Sequence, residues 1–176
     1  QRELIIGDRQ TGKTSIAKMF ARSVNCLAPV NGNCCEKCNN CLSSIDKNNV
    51  DIIEIDAASN NGVDEIRELR NKVNLVPNSL KYKVYIIDEV HMLSTGAFNA
   101  LLKTLEEPPE HVIFILATTE IYKVPATIIS RCQTIEFKNI DKKSMFERLS
   151  EISKAENINI TDDAINEIVQ NSNGGL

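Results

Sequence analysis

The chain has 176 residues, of which 42% are hydrophobic and 25% charged, and its net charge is −4. That length suits one core domain plus part of a second, with a core large enough to fold without staples. The negative balance argues against a general polyanion binder, and no apolar run approaches the roughly 18 residues of a membrane span.

In chain order, strands and helices alternate. Glu3–Gly7 is a short apolar strand ending on glycine. Lys13–Asn25 reads as a helix, with Ile16, Met19, Phe20 and Val24 at helical spacing. Pro29–Cys41 is polar and rich in Cys and Asn, so it reads as an insertion outside the core. Asp51–Asp56 is a strand, and Gly62–Asn74 an amphipathic helix with Val63, Ile66, Leu69 and Val73 on one face. Lys83–Asp88 is a buried strand. Ser94 caps a helix that runs to Glu106 and is ended by Pro108 and Pro109. Val112–Ala117 is a continuous apolar strand of the kind buried on both faces. Pro125 starts a short helical turn, and Gln133–Phe137 is a shorter strand. Strands spaced by such helices predict an α/β fold, a parallel sheet covered by helices, over residues 1–139. Lys142–Glu156 and Thr161–Asn171 follow with no strand between them, which predicts the start of a small helical unit over 140–176.

Gly7-Asp8-Arg9-Gln10-Thr11-Gly12-Lys13-Thr14 satisfies the P-loop pattern G-x-x-x-x-G-K-[ST]. Its glycines let the backbone curl so that N–H groups face phosphate oxygens, Lys13 adds a point charge, and the Thr14 hydroxyl is a ligand for Mg²⁺. The next helix turns its positive N-terminus toward the same anion. The candidate nucleotide contacts are Gly7, Gln10, Thr11, Gly12, Lys13, Thr14 and Ser15. The strand Tyr85-Ile86-Ile87 ends in Asp88 and Glu89. Alone, such a pair reads as solvated acids at a strand end. Downstream of a P-loop it reads as a magnesium carboxylate, Asp88, beside a general base, Glu89.

Five of the six cysteines fall between Cys26 and Cys41. The spacing Cys26-x8-Cys35-x2-Cys38-x2-Cys41 suits a closed tetrahedral zinc site, structural and not catalytic, with Cys34 a competing ligand in a shifted register. Clustered thiols in a reduced cytoplasmic protein read as metal ligands before disulfides. Thr118 and Thr119 end a central strand, where a hydroxyl either senses a phosphate or caps the strand. By spacing alone Arg131, in Ser130-Arg131-Cys132, is an exposed structural arginine. His91 reads as a packing or loop residue. No aromatic and basic stripe suggests a single-strand stacking surface.

From Ser15 onward the chain resembles the gamma/tau family of the bacterial replicative DNA polymerase III, AAA+ clamp-loader ATPases. The stretches that carry the likeness are SIAKMFARSVNC, the four-cysteine insertion (26–41), DIIEIDAASNNGVDEIRELR, KVYIIDEVHMLSTGAFNALLKTLEEPPEHVIFILATTE and the SRC at 130–132. The resemblance implies an AAA+ P-loop NTPase fold with a helical lid. It implies Asp88 and Glu89 as the Walker B pair, Thr119 as the sensor, and Arg131 as a finger acting on a neighbour's nucleotide. Cys26, Cys35, Cys38 and Cys41 are implied as zinc ligands. The cofactors implied are ATP, Mg²⁺ and Zn²⁺; the partners are other clamp-loader subunits in a ring, the sliding clamp and primer–template DNA, with no membrane.

The opening residues 1–14 depart from that pattern. The family's loop is closer to GPRGTGKT, whereas GDRQTGKT is similar to the P-loop of the ATP synthase alpha subunit and reads as a chimera or graft. A segment that helps hold adenine in the family does not precede the loop, and the family's second sensor arginine falls beyond Leu176. The function expected is an ATP-binding and ATP-hydrolysing motor subunit of the clamp loader. The alternative is a non-catalytic, delta-prime-like interaction subunit, against which the intact Lys13-Thr14 and Asp88-Glu89 pairs argue.

Overall fold

The structure is a computed structural model that describes residues 1–46, 49–172 and 174–175. Asn173 and Leu176, at the end of the expected helical unit, lie outside the described residues.

Five parallel strands form one sheet: β1 (Arg2–Ile6), β2 (Ile52–Asp56), β3 (Lys83–Asp88), β4 (Val112–Thr118) and β5 (Gln133–Glu136), in the order β2-β3-β4-β1-β5. The registers pair Leu4 with Leu116 and Thr134, Ile53 with Tyr85, and Tyr85 with Phe114. The opening strand is thus fixed inside the sheet, between β4 and β5. Parallel strands need crossovers, and helices supply them: α1 (Lys13–Asn25), α2 (Asn39–Ser43), α3 (Val63–Val73), α4 (Thr95–Glu106) and α5 (Ala126–Ile129).

The period of two along each strand divides the core into two layers. Leu4, Tyr85, Ile87, Phe114 and Leu116 face α3 and α4, where Ile66, Leu69, Phe98 and Leu101 close on them. Ile5, Val84, Ile86, Ile113 and Ile115 face the other way, onto Ala17 and Ala21 of α1. The small alanines let α1 lie close to the sheet, which holds its N-terminus near the strand ends. All seven residues of β4 are buried, as its unbroken apolar run predicts.

Local chemistry sets the helix ends. The Ser94 side chain accepts from the Ala97 N–H, capping α4. Asp64 and Glu65 in the first turn of α3, with Arg70 and Lys72 in its last, complement the helix dipole. Asp51, fully buried before β2, accepts from the N–H groups of Asn78, Ser79 and Leu80 at 2.8, 2.8 and 3.0 Å. Burial pushes the Asp51 carboxyl up, but these donors outweigh it and hold it below the ordinary carboxylate range.

The last two helices, α6 (Lys142–Ala155) and α7 (Asp162–Asn171), are capped by Asp141 and Thr161. Met145, Ile165 and Val169 form their own apolar cluster with Ile140, Phe146, Leu149 and Ile160. Two features were not predicted: α2, one short turn inside the insertion, and 3-10 turns at Val90–Met92 and Ile121–Lys123. Each is too short to show a helical period.

Candidate nucleotide cleft and cysteine cluster

Between β1 and α1 the chain forms a tight loop. Gly7 admits no side chain, since a Cβ there would lie 2.8 Å from Phe137 Cβ and 2.9 Å from the Phe137 carbonyl at the end of β5. Gly12 turns into α1 at φ 88°, a left-handed conformation in which glycine alone is unstrained. Gln10 also sits left-handed, at φ 61°, the position at which the family's GPRGTGKT spelling has a glycine. A side chain there costs on the order of 1 kcal/mol or more in backbone strain.

The loop, α1 and the end of β3 enclose a cleft of about 260 Å³ lined by Arg9, Gln10, Gly12, Lys13, Thr14, Ser15, Asp88 and Glu89. Of the predicted contacts, Gly7 and Thr11 are not in that lining. Gly7 closes the base of the loop, and Thr11 Oγ1 donates to the Asp8 carbonyl at 2.8 Å. Lys13 is buried, and its Nζ donates to the Asp8 carbonyl at 2.7 Å. Thr14 Oγ1 donates to Asp88 Oδ2 at 2.6 Å. That contact joins a hydroxyl at the start of α1 to a carboxylate at the end of β3, the two oxygens that a shared Mg²⁺ requires close together. The donor set, one hydroxyl and one carboxylate beside backbone N–H groups, suits a phosphate-bound magnesium ion.

Glu89 follows in the left-handed region at φ 47°, a rare conformation for a residue with a side chain. Its Oε2 accepts from Thr119 Oγ1 at 3.1 Å. Thr118, fully buried, faces His91 and not the cleft, with 3.0 Å from its Oγ1 to the imidazole Nδ1. Of the two threonines, Thr119 is therefore the one that reaches the acidic pair. His91 is more than a packing residue: its Nε2 lies 3.1 Å from Glu120 Oε2 and its Nδ1 3.4 Å from Glu89 Oε2. No spacing in the sequence foretells this, because it depends on the turn at Glu89 meeting the end of β4.

Arg131 is not brought to this cleft. It precedes β5, whose Gln133 pairs with Glu3, so it lies at the N-terminal end of the strands, opposite the end that carries Asp88 and Thr118. There its guanidinium bonds Glu106 Oε1 at 2.9 Å and the Thr127 carbonyl at 2.7 Å.

The insertion gathers a second set of ligand atoms. The Sγ atoms of Cys26, Cys35, Cys38 and Cys41 all lie within 4.8 Å of one another, with Cys26–Cys38 and Cys35–Cys41 at 4.0 Å. Tetrahedral zinc with bonds of about 2.3 Å spaces its sulfurs about 3.8 Å apart, so the four fit that ion. Cys34 is outside the group. Backbone N–H groups of Leu27 and Cys41 pull the Cys38 thiol down to about 6, and those of Lys37 and Cys38 lower Cys35. Burial, with the neighbouring sulfurs, pushes Cys41 up to about 12. Thiolates so close together repel, and a divalent cation at their centre removes that conflict.

The family model described as "DNA polymerase III, delta subunit" matches residues 2–141. The chain is 56% identical over 174 residues to DNA polymerase III subunit tau of Bacillus subtilis, covering 98% of this chain and 31% of that protein. It is 44% identical over 173 residues to DNA polymerase III subunit gamma of Buchnera aphidicola subsp. Baizongia pistaciae, covering 98% and 47%. The chain thus spans less than half the length of these curated relatives. The matches include the opening loop despite its divergent spelling. Among solved structures, the gamma subunit-related protein of Thermotoga maritima superposes with a TM-score of 0.62 at 23% identity, over 95% of this chain and 53% of that one. The RuvB Holliday junction branch migration motor of Thermotoga maritima superposes at 0.63 and 16% identity, over 98% and 50%. The fold is that of the AAA+ P-loop proteins. By its family match and its relatives alike, the chain belongs to the DNA polymerase III subunit family, among the members named gamma, tau and gamma/tau.

Proposed function

We propose that this chain is the nucleotide-driven part of a motor subunit of the bacterial DNA polymerase III clamp loader. In this reading it binds ATP with Mg²⁺, hydrolyses it, and acts in the cytoplasm with other loader subunits to place the sliding clamp on primer–template DNA. The observation that carries the reading is the 2.6 Å contact between Thr14 and Asp88 at the mouth of the loop. Residues 1–139 form the nucleotide-binding core, 26–41 the zinc-binding insertion, and 140–176 part of a helical lid.

In this reading Gly12, Lys13, Thr14 and Ser15 bind the phosphates through N–H groups and the Lys13 ammonium. Gln10 lines the same cleft, while Gly7 and Thr11 shape the loop. Thr14 and Asp88 hold Mg²⁺, which offsets charge on the transferring phosphoryl group. Glu89 accepts the proton of the attacking water, with Thr119 orienting its carboxylate. Arg131, at the end of the strands away from the cleft, reaches a neighbouring subunit's nucleotide, so turnover by the isolated chain is slow and rises with partner subunits. Cys26, Cys35, Cys38 and Cys41 hold zinc in a structural role.

Titration with a fluorescent ATP analogue tests the core of this. Lys13→Ala should weaken affinity by roughly 30-fold, the worth of a lost charge-assisted contact of about 2 kcal/mol. Equal affinity would remove the loop from the mechanism. A non-catalytic, delta-prime-like subunit is the second reading, favoured only by the family description as a delta subunit. Analogue binding with no turnover, even among partner subunits, would establish it.

A further inference from the structure

Glu89 is held from one side by groups that the reading above leaves without a role. The left-handed turn at Glu89 starts the 3-10 turn Val90–Met92, which carries His91 beneath the end of β4. The His91 side chain is only 6% exposed and stands between two carboxylates, Glu89 and Glu120. A histidine closed in this way has few orientations available, and its contacts define the one it takes.

Glu120 is the anchored end. Its carboxylate accepts from Lys123 Nζ and Tyr122 OH, both at 2.6 Å, and its N–H donates to Thr118 Oγ1 at 3.0 Å. The Lys123 bond, then the Tyr122 bond, hold the Glu120 carboxyl below the ordinary range, so it is ionised at neutral pH and accepts only. Nε2 of His91 must then carry a proton to make its 3.1 Å contact with Glu120. An ion-pair contact of Nδ1 with Glu89 Oε2 at 3.4 Å requires a proton on that nitrogen as well, so in the bridge both ring nitrogens donate, Nε2 toward Glu120 and Nδ1 toward Thr118 Oγ1 and Glu89 Oε2. The same Oε2 accepts from Thr119. Among the described residues, the hydrogen bond and the ion pair on the Glu89 carboxylate both fall on Oε2, and Oε1 has no hydrogen-bond partner.

We propose that His91 is a positioning residue for Glu89: anchored on Glu120, its imidazole and the Thr119 hydroxyl fix Oε2 and leave Oε1 for the cleft that Glu89 lines. The Glu120–His91–Glu89 bridge makes the general base a fixed group and not a freely rotating side chain. Placement of a base within a fraction of an ångström is worth far more to the rate than to ground-state binding, because the base acts only on the attacking water. The inference rests on the reading of Glu89 as the base.

Two measurements on the 176-residue chain test it. The first is the rate of a single ATP turnover beside the affinity for a fluorescent ATP analogue. His91→Ala and Glu120→Gln should each slow turnover by roughly 10-fold with affinity within about twofold of the parent. His91→Gln, whose amide can still donate to Glu120, should recover most of the rate. The second is nitrogen NMR of the imidazoles, of which the chain has only two, His91 and His111. Glu120→Gln should shift Nε2 of His91 and Glu89→Gln its Nδ1, with His111 unmoved.

An unchanged rate in His91→Ala, affinity falling in step with rate, or His91 nitrogen signals indifferent to both carboxamides would each overturn the bridge. If the parent chain binds the analogue but does not turn ATP over even with partner subunits present, the reading of Glu89 as a base fails separately. The NMR comparison then still decides whether the bridge exists.

Discussion

The strand-end cleft and the cysteine cluster both collect ligand atoms, by opposite routes. The cleft joins residues 9–15 to Asp88 and Glu89, and Glu89 in turn meets Thr119 and His91. These groups come together only because β1, β3 and β4 run parallel, with their ends in register. The four cysteine sulfurs all come from residues 26–41, and only one of them, Cys41, is buried. The cleft is held by the sheet, whose parallel strand ends set its walls. The cluster has only Cys41 buried, and its four sulfurs are spaced as a tetrahedral ion would hold them. Sites of the first kind fail when the scaffold or the chemistry is touched; sites of the second kind fail when the metal leaves.

The largest expected effect is on the cleft. Glu89→Gln should lower ATP turnover by about 10²–10⁴-fold, the usual contribution of a general base, while analogue affinity is kept. Full turnover in that variant, measured under single-turnover conditions, would take the base role from Glu89.

Next is the separation of the two regions. Cys38→Ser, or a strong chelator, should release zinc and open residues 26–41 to protease. Analogue affinity should stay within about threefold of the parent, since a closed four-cysteine site acts structurally. Metal analysis and limited proteolysis check the first point, and the analogue titration the second. A collapse of affinity on zinc loss would show that the cluster supports the cleft after all.

A smaller effect bears on the scaffold. Asp51 ties the start of β2 to residues 78–80, and its carboxyl is held below its unfolded value of about 3.9. A lowered carboxylate contributes stability above the unfolded pKa, and that contribution is lost as pH falls through the folded one. Asp51→Asn should therefore cost about 1–3 kcal/mol at pH 7, with the gap to the parent closing below about pH 4. Denaturant melts at the two pH values measure it. An equal gap at both would show that the carboxylate's charge has no part in the tie.

The smallest effect concerns the loop itself. Gln10→Gly removes a side chain from a left-handed position and should stabilise the chain by about 1 kcal/mol, less the added freedom of glycine in the unfolded state. Destabilisation instead would mean that the Gln10 side chain contributes more to the loop than its backbone costs.

How much of this the sequence showed depends on how far apart the partners lie. The helix Lys13–Asn25, the strand Lys83–Asp88 and the Ser94 cap could be read because each rests on neighbours a few residues away. The cysteine set was legible for the same reason, and the structure narrows it by leaving Cys34 out. The P-loop pattern gave Lys13 and Thr14, but not that Thr14 would bond Asp88, nor that Gln10 would be left-handed. The choice between Thr118 and Thr119 turns on which way a strand's last side chains point.

By itself, then, the sequence determined the elements, the parallel α/β class, the phosphate loop and the spacing of the four sulfurs, because hydrophobic period, capping and ligand spacing are local properties of the chain. Only the tertiary structure decided the strand order, the pairing of Thr14 with Asp88, the place of Arg131 at the opposite end of the strands, and the bridge through His91. Those depend on side chains far apart in sequence meeting at the ends of parallel strands, and no local pattern records such meetings.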